Sequence, residues 1–181
     1  HNYNDWHSEK GWKMFNLNKT ILDGFLLSII ASFLLIVSLY INPRIFLQDY
    51  PKDIQAKVPP KTLSERRMSL LLGIPFLLVL ILVPFFSTLT LKQQNGESSS
   101  FIAFFVNAFG VAFIFNLVDW LLWDWLMFCT ITPKFVVIPG TEGMVSYKDY
   151  GFHFRGFIIG TLLSAIGALV IAGIVFFIGW F

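Results

Sequence analysis

The stretch Phe101–Phe128, FIAFFVNAFGVAFIFNLVDWLLWDWLMF, runs for twenty-eight residues without a single basic side chain. Water does not favour so apolar a segment. A bilayer does, because about 20 mostly apolar residues in a helix cross its roughly 30 Å of hydrocarbon. Yet the same stretch carries Asp119 and Asp124 among Trp120, Trp123 and Trp125. A carboxylate at the centre of a spanning helix costs about 3 kcal/mol unless it pairs or meets water, which makes the two aspartates the first functional candidates.

Outward from this run, three more of comparable length appear, and helices are expected at about 21–41, 63–91, 101–130 and 156–181. Composition agrees: 56% hydrophobic, 18% aromatic and 13% charged residues with mean hydropathy +0.70 exclude an ordinary soluble domain. The expected fold is an all-α integral membrane protein. Residues 14–181 form a single domain of four transmembrane helices in an antiparallel bundle, joined by two structured cytoplasmic loops. His1–Lys13 is a polar leader, either native or left from expression, and it lacks the basic-then-apolar order of a signal peptide. One cysteine, Cys129, rules out a disulfide within the chain.

Lys and Arg accumulate on the cytoplasmic side of a membrane protein. Loops 42–67 and 131–155 hold nine of them, against four on the other side. Both loops are therefore expected in the cytoplasm and both termini outside, in the cell's inner membrane. The net charge of +2 reflects that orientation and not a nucleic-acid footprint, which needs a concentrated basic face.

Each span has its own signature. Gly156, Gly160, Ser164, Ala168 and Ala172 recur every four residues in the last one, and Gly24, Ser28 and Ser32 do so in the first. Such stripes let backbones approach closely. Either they join the first and last helices, or Gly156, Gly160, Ser164 and Ala168 form the seam of a homo-oligomer. Pro75 and Pro84 should bend the second helix. Thr62-Leu-Ser-Glu65 fits a capping box at its start. In the third helix, 100° per residue gathers Asn116, Asp119, Trp120, Trp123 and Asp124 on one side. That side is read either as a ligand or catalytic face or as an aromatic belt whose aspartates pair with loop cations.

The first loop contains Asp49-Tyr-Pro-Lys-Asp53 and several further prolines, which favour a fixed path. In the second, Phe135–Ile138 and Met144–Tyr147 flank a Pro/Gly turn and read as a short β-hairpin. Asn42-Pro-Arg44 and Thr132-Pro-Lys134 echo one another, as an internal duplication or as two ordinary helix stops.

No phosphate-binding glycine loop or serine-nucleophile motif is present. No cofactor is expected. His153 is the only histidine outside the leader, and no metal site is expected from it and the scattered carboxylates. Three functions follow. The first is a binding or accessory protein whose cytoplasmic mouth takes a lipid headgroup, an amphipathic small molecule or a partner protein. There Asn42, Arg44, Lys134 and Arg155 would meet phosphate or carboxylate, beside Asn116, Asp119, Trp120, Trp123 and Asp124. The second is a small membrane enzyme acting on a lipid or isoprenoid, with Asp119 or Asp124 as base and His153 as proton carrier. The third is a subunit of an oligomeric transporter.

Overall fold

A bilayer interior offers no hydrogen-bonding solvent, so a chain this apolar satisfies its backbone internally, as helices. The computed structural model describes residues 16–96 and 100–178, and the leader at 1–13 lies outside them. Among the described residues there are helices and turns and no strand. Helix α1 is Leu17–Ile41, α2 is Lys52–Lys57, α3 is Leu63–Asn95, α4 is Phe101–Val118 and α5 is Tyr150–Phe177. A π-helix, Asp119–Ile131, continues α4 without a break. Among the described residues, α1, α3, α4 with its extension, and α5 are the four helices long and apolar enough to cross a membrane. Leu22, Ile29 and Phe33 of α1 are about two-thirds exposed, an inside-out pattern that suits lipid and not water.

Local chemistry sets the helix ends. The Asn16 carboxamide accepts from Lys19 N–H at 3.0 Å and starts α1 earlier than hydropathy alone suggests. The capping box at α3 forms as read: Glu65 N–H donates to Thr62 Oγ1 at 3.2 Å, and Thr62 N–H to Glu65 Oε2 at 2.8 Å. Helix α3 then runs on through Pro75 and Pro84. Asp149 accepts from Phe152 N–H at 2.8 Å, so α5 begins at Tyr150, six residues before the expected start. His153 and Arg155 are consequently helical.

The described chain divides into two compact units. One comprises residues up to Leu27, Leu80–Phe115 and residues from Thr161. Its core is Leu91, Phe104, Ala108, Ala168, Ile171, Ala172 and Val175. Two small residues admit close neighbours: a Cβ at Gly24 would fall 2.7 Å from Ile114 Cβ, and one at Gly110 2.8 Å from Thr20 Cγ2. Gly24, the first residue of the α1 stripe, therefore meets Ile114 of α4. A polar clasp is buried beside this contact. Asn107 accepts from Thr20 Oγ1 at 2.6 Å and donates to Ser87 Oγ and Thr88 Oγ1, each at 3.0 Å. At the end of α5, Lys92 Nζ donates to the carbonyls of Val175 at 2.8 Å, Phe176 at 3.1 Å and Ile178, which the helix itself leaves unsatisfied.

The other unit comprises Ser28–Val79 and Asn116–Gly160. Here the two loops pack together around Leu47, Tyr50, Ile54, Ile138 and Tyr147. The expected β-hairpin in the second loop is not formed: Lys134–Val136 and Val145–Lys148 are 3-10 turns. Ile138 N–H donates to Tyr147 Oη at 2.8 Å instead of to a facing strand. Gly140 and Gly143, at φ +87° and +77°, curl the intervening chain. Tyr50 Oη donates to Val136 O at 2.9 Å, and Ser146 Oγ to Asp53, which ties the loops to each other. The Asn42 and Thr132 echo does not extend to the backbone. Asn42 is extended at φ −166°, whereas Thr132 is left-handed at φ 48°.

Two substitutions probe the first unit. Asn107→Ala should lower unfolding free energy by about 1 kcal/mol, since hydroxyls in lipid recover part of their bonding from their own helices. Gly24→Leu should cost more, because Ile114 meets it with Cβ and not with a flexible tip. Thermal melts in detergent that rank them in the opposite order would refute the close-approach account.

Candidate functional site

A π-helix closes its hydrogen bonds between residues five apart, is rare beyond a single turn, and tends to occur at functional sites. This one lasts 13 residues. Its wide register continues to the last turn, where Thr132 N–H donates to Met127 O at 2.8 Å and Thr130 Oγ1 to Trp125 O at 2.7 Å. Thr132 ends it with left-handed backbone, the only positive φ of a non-glycine among the described residues, and Pro133 cannot continue a helix.

The register decides which side chains share a face. Asp119, Trp123, Asp124 and Phe128, spaced by four or five, line one cavity of about 270 Å³. Trp120 and Trp125 lie elsewhere: Trp120 stacks on Phe157 at 4.6 Å, and Trp125 meets Tyr150 edge-on at 5.6 Å. Neither indole N–H of this second pair has a partner among the described residues. The 100° spacing had put Trp120 beside the aspartates. Five-residue turns separate them.

Residues from α1, the turn after it, α3 and α5 complete the cavity. Leu35 and Leu39 come from α1, Phe76 from α3, and Phe46, Asp49 and Tyr50 from the turn after α1. His153 enters from the first turns of α5, only 6% exposed. Its Nδ1 lies 2.7 Å from Asp124 Oδ1, which fixes the ring and leaves Nε2 without a hydrogen-bond partner among the described residues. Trp123 Nε1 donates to Ser32 Oγ at 2.8 Å, so that indole too is held in place. Asp119 makes no hydrogen bond or ion pair with a described residue. Asp49 accepts from Gln48 Nε2 at 2.9 Å. It keeps solvent contact, although partial burial raises its carboxyl above the ordinary range while Lys61 and Gln48 oppose that rise. Lys61 is itself lowered, by burial first, with Asp49 and Glu65 acting against it.

The other residues singled out by sequence have different work. Arg44 Nε pairs with Glu65 at 2.5 Å and its guanidinium donates to Pro59 O at 2.8 Å, so it locks the loop to the start of α3. Asn42 caps the following turn, accepting from Arg44 N–H at 2.9 Å. Asn116 Nδ2 donates to Phe157 O at 3.0 Å, and a Cβ at Gly160 would collide with its carboxamide. Gly160 is thus used within the chain, as Ala168 and Ala172 are in the core of the first unit. Arg155 is exposed. Lys134 lines a larger cavity, about 700 Å³, whose walls are the 132–148 loop alone. Glu142 there is already turned onto Gly140 N–H at 3.0 Å, and backbone amides hold its carboxyl below the usual range. The smaller cavity, where carboxylates, an imidazole and aromatic rings converge, is the better candidate.

Asp49 and Tyr50 escaped the sequence reading as site residues, although the Asp49–Asp53 phrase had drawn notice. Among the described residues no group of three His, Cys, Asp or Glu is arranged to hold a metal ion. The chain matches no family model, and no curated protein or solved structure is similar to it.

The His153–Asp124 contact predicts a measurable coupling. Asp124→Ala should destabilise the protein by about 2 kcal/mol by taking from a buried imidazole its one polar partner among the described residues. In the His153→Phe background the same change should cost much less. A double-mutant cycle with no coupling would show that the pair is not formed.

Proposed function

We propose that this protein is a multi-pass protein of the cell's inner membrane that binds the head of an amphipathic small molecule in the 270 Å³ cavity. In this reading the four long helices form an antiparallel bundle and both loops face the cytoplasm. Nine basic residues on that side against four on the other support the orientation. The observation that carries the binding reading is Asp119. It is a carboxylate in a spanning helix, it has no partner among the described residues, and it faces a cavity walled by aromatic rings. A carboxyl group left unpaired in such a place is costly, and a ligand that satisfied it would remove the cost.

One feature favours a second reading, a small membrane enzyme acting on a lipid or isoprenoid. Asp124 orients His153 through Nδ1 and leaves Nε2 free to take a proton from a substrate, the arrangement that a general base requires.

Mass spectrometry of whatever co-purifies in mild detergent separates the two. For a binding protein, one amphiphile should accompany the wild type in near-stoichiometric amount and be depleted at least tenfold from Asp119→Asn. For an enzyme, His153→Asn should retain that amphiphile and accumulate it unconverted. An identical lipid profile for all three proteins would remove both readings and leave the aspartate structural.

A further inference from the structure

We propose that the head this cavity accepts is an organic cation, an alkylammonium, and not a phosphate or carboxylate. The inference rests on the cavity being a binding site and assigns the chemistry of what binds. Three carboxylates, Asp49, Asp119 and Asp124, border it, and no Lys or Arg is among the residues that line it. The one basic group, His153, is matched to Asp124. Asp49 has the field of Lys61 nearby, but that ammonium donates to Ile45 O, to Gln48 Oε1 at 2.7 Å and to Ser69 Oγ at 3.0 Å. Asp119 has nothing. Arg44, the cation most expected to meet an anionic head, is held by Glu65 and Pro59 O. An anion placed here would meet three carboxyl groups and no lining Lys or Arg, whereas a cation would meet acceptors that stabilise it.

The walls supply what a cation needs besides charge. Phe46 meets Phe76 edge-on at 6.3 Å, and Tyr50 meets Phe128 edge-on at 5.6 Å. Trp123, 5% exposed, is fixed through its indole N–H by Ser32 and so presents carbon surface to the cavity. Ring faces attract ammonium groups through their quadrupole, most strongly where water is excluded, and aromatic cages with a nearby carboxylate are how methylated amines are held. His153, more than nine-tenths buried and paired with Asp124, adds its imidazole to the polar side of the cavity. A cavity of about 270 Å³ suits a small head with a short length of chain, near the lower end of small-molecule clefts.

Calorimetric titration of the full chain in a neutral maltoside detergent tests this with three probes that share one tail: hexyltrimethylammonium, hexyl phosphate and hexyl glucoside. The ammonium should bind one per chain and at least tenfold more tightly than the other two. Asp119→Asn should weaken it about tenfold while leaving the glucoside unchanged. Phosphate binding equal to or tighter than ammonium binding would overturn the cationic assignment but keep the cavity as a site. Absence of saturable binding for all three would overturn the site itself. Should Asp119→Asn not fold, the wild-type order of the three probes decides the matter alone.

Discussion

Everything at the candidate site depends on the hydrogen-bond register of one segment. From Asp119 to Ile131 the helix closes its bonds over five residues instead of four. Asp119, Trp123, Asp124 and Phe128 thereby share one face, with Trp120 and Trp125 on another. An α-helix over the same residues would interleave the tryptophans with the acids. The wide turn is thermodynamically unfavourable in isolation, so the surroundings must stabilise it. The His153–Asp124 contact, the Trp123–Ser32 bond and the Trp120–Phe157 stack do so within its first turn.

The lipid-facing surroundings explain why contacts take the form they do. Between helices in lipid there is no water to expel, so association rests on close approach and on polar groups that have no alternative partner. Gly24 against Ile114 and Gly110 against Thr20 supply the first, and Asn107 with its three hydroxyl partners supplies the second. In the other unit the loops hold a small core of their own, Leu47, Tyr50, Ile54, Ile138 and Tyr147. The first loop carries Asp49 and Tyr50 to the cavity, and its packing on the second holds them there.

Much of this was legible in the chain. Hydropathy located four long helices to within a few residues at most ends, and Thr62-Leu-Ser-Glu65 announced its capping box because two side chains and two amides satisfy one another locally. The early start of α5 was hidden by the polarity of Asp149, His153 and Arg155, which hydropathy scores as loop although Asp149 is a cap. The hairpin expectation failed because β-prone residues at 135–138 and 144–147 found better partners in Tyr147 and Thr141 side chains than in each other. For the site, the residue types were visible and their grouping was not. Period-based reasoning assumes 3.6 residues per turn, and no composition rule marks where a helix widens. The cations presented the opposite difficulty: Arg44 looked available until Glu65 and Pro59 were seen to hold it.

Cysteine reactivity along the π-helix tests the register most directly. In a Cys129→Ala background, single cysteines at positions 119 to 128 would be exposed to a water-soluble maleimide in detergent. The five-residue register predicts labelling at 119, 123, 124 and 128, with 120 and 127 silent. Labelling at 119, 120, 123 and 127, with 128 silent, is the pattern of an ordinary α-helix, and it would contradict the site described above.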